Sequence, residues 1–123
     1  EIEKYNILNA SLLAMKRAIK KLKIKPKIIL VDGNKIPDMR SYNLKYVIKG
    51  DQKIPEISAA SIIAKVSRDR LIKKLAKIHH GYFWHKNAGY GTKDHLRALK
   101  KFGVTKYHRK KFKPIHNILS LEK

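Results

Sequence analysis

Two aspartates stand where the sequence predicts the ends of β-strands. Asp32 directly follows the apolar run 28–31, and Asp51 comes after the run 44–49 and one glycine. Ligands of open α/β sheets bind at the carboxyl ends of the strands. Carboxylates suit hard cations such as Mg²⁺ or Mn²⁺, and a pair of such ions can activate water and stabilise the leaving oxygen in phosphodiester cleavage. The two aspartates therefore predict a carboxylate metal site.

Other polar residues carry weaker signals. The segment 32–34 could form an Asx turn, which would give Asp32 a structural role instead. Asp69 has lysines four residues away on either side, as in a solvated charge pair on a helix. The histidines at 79, 80 and 85 have no recognisable ligand spacing, so we expect them to be structural.

Tyr90 is flanked by Gly89 and Gly91, directly before a predicted helix. The glycines let the backbone approach another molecule, and the phenol ring offers a flat face and a hydroxyl to a sugar or a base. The alternative is a tight turn with a packing tyrosine. Trp84 is predicted to pack in the core or at its rim.

A basic cluster follows near the carboxyl terminus. His108 is next to Arg109, Lys110 and Lys111, so the sequence predicts that this histidine contacts phosphate rather than acting as an acid or base.

The overall charge points to a polyanionic partner. The 123 residues include 30 lysines and arginines against 9 carboxylates, a formal net charge of +21. Nucleic acid is the first partner to consider. The alternative is a solvated lysine-rich surface that reflects the codon usage of an AT-rich genome.

Composition also limits the compartment and the chemistry. Without cysteine, the chain has neither disulfides nor thiolate metal sites, which fits a reducing cytosol. No apolar run is long enough to span a bilayer, and the first residues show neither a methionine nor a signal peptide. We expect a cytoplasmic protein that is incomplete at its amino terminus and has no membrane partner.

Periodicity predicts the elements that position these residues. A helix is expected over 6–23, capped by Asn6, with an apolar face at Leu8, Leu12, Met15, Ile19 and Leu22. The run 28–31 predicts a central parallel strand, and 44–49 predicts a second strand.

Helices dominate the remainder. A helix over 57–78, with Pro55 in its first turn, carries small residues on one face and large apolar ones on the other, namely Ile63, Val66, Leu71, Leu75 and Ile78. An aromatic, glycine-rich loop at 81–92 precedes a short helix that ends before Gly103. A last turn is possible after Pro114. Without repeats or linkers, residues 1–123 are predicted to form a single domain, here an incomplete one.

Several of these segments together resemble the carboxyl-terminal part of ribonuclease HII, the type 2 ribonuclease H. The specific core of the resemblance is Lys-Gly-Asp at 49–51 followed by Ile-Ser-Ala-Ala-Ser-Ile-Ile-Ala-Lys-Val-Ser-Arg-Asp at 57–69. Matching segments also occur at 6–10, 14–18, 31–34, 85–92 and 107–112. The resemblance covers almost the whole chain.

The resemblance implies a fold and an activity. The fold would be α/β and ribonuclease H-like, lacking its first strands, with parallel strands, flanking helices and a helical carboxyl-terminal part. The activity would be a Mg²⁺- or Mn²⁺-dependent endonuclease that cuts the RNA strand of RNA–DNA hybrids and single ribonucleotides in duplex DNA. Such cleavage leaves a 3′-hydroxyl and a 5′-phosphate.

The resemblance also assigns roles to individual residues. Asp32 and Asp51 match the last two of the family's four acidic residues, which hold the metal. Tyr90 matches the tyrosine that contacts the nucleotide next to the scissile bond and helps sense its 2′-hydroxyl. We expect Lys86, Arg109 and Lys110 to contribute to substrate binding.

One family feature is missing from the chain. The first two acidic residues belong to an Asp-Glu-Ala-Gly-Arg-Gly motif, which occurs nowhere in the 123 residues. The chain alone is therefore expected to be inactive and to need an amino-terminal segment of the same protein. Two other interpretations stay open, a basic non-catalytic nucleic-acid-binding protein of ribosomal type and a decayed remnant. Two strand-terminal aspartates argue against the first, because a phosphate binder gains nothing from carboxylates that face its ligand.

Overall fold

The chain combines one pair of strands with five α-helices and one 3₁₀ helix in the part that a computed structural model describes, residues 1–121. The elements in chain order are α1 (Ile2–Lys20), β1 (Ile29–Asp32), β2 (Leu44–Val47), a 3₁₀ helix (Gly50–Gln52), α2 (Pro55–Ile78), α3 (Trp84–Asn87), α4 (Lys93–Phe102) and α5 (Lys113–Leu121). This mixed α/β architecture is consistent with a partial ribonuclease H-like fold.

The elements divide between two compact units. The first comprises Glu1–Ile63 and holds both strands, and the second comprises Ala64–Lys123. α2 begins in the first unit and ends in the second. The single domain expected from the sequence stays a prediction.

The two strands form a parallel pair. Ile29 lies opposite Leu44, and the register continues to Asp32 opposite Val47. Val31 is buried, as a strand of β-branched and aliphatic residues requires. Within residues 1–121, β1 pairs with β2 alone, so the predicted central position of β1 is not observed there. The parallel direction, which brings both carboxyl ends to one edge, is confirmed.

Asn6 divides α1 into two helical segments. Its backbone lies in the left-handed range, with φ at 66°, and its side-chain oxygen accepts a hydrogen bond from the backbone N–H of Asn9 at 3.0 Å. This bond is an N-terminal cap, as predicted for Asn6. The helix differs from the prediction at its ends, since it begins at Ile2 and stops at Lys20.

The second unit contains a buried aromatic and aliphatic core. Its members are Tyr82, Trp84, Ala98, Leu99 and Ile115. The prediction that Trp84 packs in the core is confirmed. Thr92 caps α4 by accepting a hydrogen bond from the backbone N–H of His95, and Gly103 ends the helix with φ at 74°, where glycine meets no steric penalty.

The large apolar face predicted for α2 is only partly buried. Leu75 packs against the core, whereas Ile63 and Ile78 are 67% and 70% exposed. Periodicity predicts which residues share a face, but not whether another element covers it. Neither α2 nor any other helix within residues 1–121 is long and apolar enough to cross a membrane.

Candidate functional site

Asp32 is fixed by a hydrogen bond to the chain segment that carries Asp51. It is the last residue of β1, and its Oδ1 accepts a hydrogen bond from the backbone N–H of Gly50 at 2.7 Å. The backbone N–H of Gly33 donates to the carbonyl of Val47 at 2.9 Å, which joins the ends of the two strands. The Asp32 carboxylate therefore bonds to a residue 18 positions away rather than within its own turn, contrary to the Asx-turn alternative.

Asp51 lies in the 3₁₀ helix rather than at the strand end. β2 stops at Val47, earlier than predicted, and Lys49 turns the chain with φ at 55°. Non-glycine residues rarely adopt this left-handed conformation, and it is often found at functional turns. Asp51 is exposed, and its neighbour Gly50 is the residue that bonds to Asp32.

The two aspartates fit part of a divalent metal site. Both side chains are exposed, and the Gly50 bond uses one oxygen of Asp32, which leaves Oδ2 to act as a ligand. Ions such as Mg²⁺ take one or two protein carboxylates and complete their shell with water or phosphate oxygens. Residues 1–121 contain no group of three or more histidine, cysteine, aspartate or glutamate side chains arranged to hold a metal. Asp32 and Asp51 can thus contribute carboxylate ligands but form no complete protein cage.

A side chain at Gly50 would force its neighbours to shift. A Cβ there would lie 2.6 Å from Cδ1 of Ile57 and 3.2 Å from Cβ of Val47. We expect Gly50→Ala to lower the free energy of unfolding by about 1 kcal/mol or more through overpacking. Denaturant unfolding measures this, with Gly91→Ala as the matched control, because nothing lies within 4 Å of a Cβ at Gly91. Equal stabilities for both variants would contradict the tight packing of this turn.

Tyr90 projects from a hydrogen-bonded turn in the second unit. Tyr90 is 66% exposed, and its backbone N–H donates to the carbonyl of Asn87 at 2.8 Å. The buried Asn87 side chain in turn donates to the carbonyl of Tyr82 and accepts from the backbone N–H of Gly89. Ala88 and Gly89 both have positive φ, so the chain reverses sharply just before Tyr90. This arrangement presents an exposed ring on a well-anchored loop.

Arg68 contacts this loop, although the sequence did not single it out. Its guanidinium donates to the carbonyl of Ala88 at 2.9 Å and lies 5.5 Å from the centre of the Tyr90 ring. It also pairs with Asp69 at 3.8 Å, so Asp69 pairs with this arginine rather than with the lysines suggested by helical spacing. Twenty residues separate Arg68 from Ala88, and no local pattern predicts such a contact.

Tyr90 and Arg109 line one cavity of about 290 Å³ within the second unit. Arg68 also lines it, and much of the remaining lining is apolar, including Trp84 and Leu99. An exposed tyrosine with two arginines at the edge of an apolar recess can stack on a base or sugar while the guanidinium groups bind phosphate.

The other two predicted substrate residues lie elsewhere in this unit. Lys86 on α3 and Lys110 after Arg109 are both exposed, and neither lines the cavity.

More than half of the chain's 30 lysines and arginines belong to the second unit, which has only three of the 9 carboxylates. The substrate-binding roles of Lys86, Arg109, Lys110 and Tyr90 stay predictions.

His108 does not belong with the basic cluster that follows it. Its Nε2 lies 3.1 Å from Nε2 of His95, and its Nδ1 accepts a hydrogen bond from the backbone N–H of Thr105 at 3.0 Å. Burial lowers the pKa of His108 to about 4, with smaller contributions from the nearby His95 and His79. His108 also lines the cavity beside Tyr90 and Arg109. Its lowered pKa removes the charge expected from its basic sequence neighbours, and its contact with phosphate stays a prediction.

The lowered pKa of His108 predicts an acid-dependent loss of stability. Between pH 6.5 and 4 the unfolded chain binds a proton at His108 that the folded chain does not, so folding weakens as the pH falls through this window. We expect His108→Gln to show a smaller drop in melting temperature between pH 7 and 4 than the wild type. His116→Gln, at an exposed histidine, serves as the control. Identical pH profiles for the His108 variant and the wild type would contradict this assignment.

Comparisons with known proteins agree on one family. The model of the family described as Ribonuclease HII matches residues 1–115. A ribonuclease HII of Pelagibacter ubique is 70% identical over 119 residues, covering 97% of the chain and 64% of that protein. Those of Roseobacter denitrificans and Neisseria meningitidis are 47% and 49% identical, covering 100% and 98% of the chain and 62% of each relative. The chain thus spans somewhat less than two thirds of the length of these relatives.

Proposed function

The chain belongs to the ribonuclease HII family, and we propose that it forms part of an endonuclease that hydrolyses the RNA strand of RNA–DNA hybrids. The same site would cut at single ribonucleotides embedded in duplex DNA and leave a 3′-hydroxyl and a 5′-phosphate. Mg²⁺ or Mn²⁺, when bound, would supply an activated water and neutralise charge on the phosphate.

The observation that carries the proposal is the link between the two aspartates. The hydrogen bond from Gly50 to Asp32 connects the end of β1 to the turn that holds Asp51, so both carboxylates belong to one exposed structure. Because both side chains are exposed, their oxygens are accessible to a divalent cation. Oxygen ligands at this edge are what phosphodiester hydrolysis with divalent metal needs.

The remaining residues of the proposal bind substrate. Tyr90 offers its ring and hydroxyl to the nucleotide next to the scissile bond, while Arg109, Lys86 and Lys110 neutralise phosphates. Arg68, beside Tyr90, adds a planar donor group suited to a phosphate or a base. Phosphate contacts hold the duplex in place, and Tyr90 distinguishes a ribonucleotide from a deoxynucleotide.

Binding to nucleic acid is expected to weaken steeply with salt. Because 30 basic residues face 9 carboxylates, we expect the affinity of the 123-residue chain for an RNA–DNA hybrid to fall by about 10³-fold between roughly 50 and 200 mM salt. Fluorescence anisotropy with a labelled hybrid measures this slope. Affinity that does not change with salt, or no binding at low salt, would contradict the polyanion interpretation.

A divalent cation separates the nuclease from a purely basic binding protein. At constant ionic strength, Mg²⁺ should strengthen hybrid binding by the wild-type chain, because it relieves repulsion between phosphate and the two aspartates. Asp32→Asn should remove this gain, whereas Asp38→Asn, the same change at an exposed loop residue, should keep it. If Mg²⁺ weakens binding equally in all three chains, the basic binding protein is the better description.

A further inference from the structure

The carbonyl of Tyr90 is bonded to a side chain as well as to the backbone. It accepts a hydrogen bond from the backbone N–H of Thr92 at 2.9 Å, and Nδ1 of His95 lies 2.8 Å away. His95 is only 4% exposed, whereas the Tyr90 ring is largely in solvent. A buried ring therefore anchors the backbone from which the exposed ring projects.

The neighbours of His95 determine which of its nitrogens carries the proton. The indole N–H of Trp84 can only donate, and it points to Nε2 of His95 at 3.0 Å. Nε2 therefore accepts, and Nδ1 carries a proton that it donates to the Tyr90 carbonyl, since a carbonyl oxygen can only accept.

His108 completes this arrangement. Its Nδ1 accepts from the backbone N–H of Thr105, so its own proton is on Nε2 and is donated to Nε2 of His95 at 3.1 Å. Trp84 and His108 thus both donate to Nε2 of His95 and share its single lone pair. With these two tautomers, each N–H of the network is directed at an acceptor atom.

We propose that His95 is a positioning residue for substrate recognition, which holds the Tyr90 backbone through the Nδ1 bond while Trp84 and His108 fix its tautomer and orientation. The inference rests on the proposed function, in which Tyr90 senses the ribonucleotide. A ring that only filled space could be replaced by an apolar residue of similar shape. Here the bonds have directions, which an apolar residue of the same shape would not reproduce.

Two amide substitutions separate positioning from packing. In His95→Asn the amide nitrogen takes the place of Nδ1, so the bond to the Tyr90 carbonyl is kept and the acceptor for Trp84 is lost. In His95→Gln the amide reaches the place of Nε2, so an acceptor for Trp84 is kept and the bond to Tyr90 is lost. Leu119→Ala, a core change away from the cavity, controls for loss of stability alone.

The readout is the preference of the 123-residue chain for duplex DNA with one ribonucleotide over the same duplex without it. We expect His95→Gln to lower this preference by about fivefold, the factor for one average hydrogen bond, and to approach Tyr90→Ala. His95→Asn and Leu119→Ala should keep the wild-type ratio. If His95→Gln keeps the ratio and His95→Asn loses it, His95 serves the core and the proposal is wrong.

A second measurement is independent of substrate. Imidazole ¹⁵N shifts of the wild-type chain should show a proton on Nδ1 of His95 and on Nε2 of His108, and the order parameter of the Tyr90 amide should fall in His95→Gln. A proton on Nε2 of His95 would overturn the inference even if a variant failed to fold. If these NMR results hold but Tyr90→Ala leaves the ratio unchanged, the proposed role of Tyr90 fails and the link from His95 to its backbone stands.

Discussion

Asparagine in place of Asp32 or Asp51 is expected to lower the rate of RNA-strand hydrolysis by about 10³-fold. This factor corresponds to losing several kcal/mol of transition-state stabilisation by the metal. The measurement uses an extended chain, in which the 123 residues follow an amino-terminal segment that carries the Asp-Glu-Ala-Gly-Arg-Gly motif. Each substitution removes a ligand oxygen and a negative charge with little change of shape. Hybrid binding should therefore be unchanged or slightly stronger.

Stability distinguishes this loss from misfolding. Asparagine at position 32 keeps an oxygen that can accept the bond from Gly50, so the free energy of unfolding should change by less than about 0.5 kcal/mol. Asp38→Asn should retain full activity. Near-normal turnover in the Asp32 or Asp51 variant, or a loss of stability above about 2 kcal/mol, would show that the carboxylate is structural.

Tyr90→Ala is expected to impair cutting at a single ribonucleotide by roughly 10- to 100-fold, since one stacked base contributes about 1–3 kcal/mol. Cutting within a long hybrid should fall less, because many 2′-hydroxyls and phosphates there share the recognition. Paired assays of the extended chain on both substrates measure the difference.

The exposed ring makes a packing role a poor explanation for such a loss. Tyr90 is 66% exposed, and Arg68 is its ring contact. Tyr5→Ala, at another exposed tyrosine, serves as the control and should leave both activities unchanged. Equal losses on the two substrates in Tyr90→Ala would show that the tyrosine does not sense the ribonucleotide.

Local sequence patterns were sufficient to predict most of the helices and strands. Asn6 and Thr92 cap helices because their short side chains reach nearby backbone N–H groups, and both bonds are present. The apolar runs before Asp32 and Asp51 form strands, and the two strands are parallel. α3 escaped prediction because a four-residue helix between Phe83 and Ala88, both with positive φ, has no periodicity to detect.

The candidate site was predictable only where its residues follow a strand or a glycine. Asp32, Asp51 and Tyr90 carry such local signals, whereas the bond from Gly50 to Asp32 requires the register of two strands. His95 and His108 are 13 residues apart and meet through the folding of α4 and the following loop. In the sequence His108 is next to three basic residues, but in the structure its burial lowers its pKa.

The most direct test of the central claim compares hydrolysis of an RNA–DNA hybrid by three proteins at equal concentration, with Mg²⁺ or Mn²⁺. These are the 123-residue chain, the extended chain, and the extended chain with Asp51→Asn. Of the three proteins, we expect only the unsubstituted extended chain to give products with 5′-phosphate ends. The two carboxylates of the 123 residues are expected to be necessary for hydrolysis but not sufficient. Undiminished turnover by the Asp51→Asn protein would contradict the assignment of Asp51 to a nuclease metal site. Turnover by the purified 123-residue chain would contradict the expectation that an amino-terminal segment is needed.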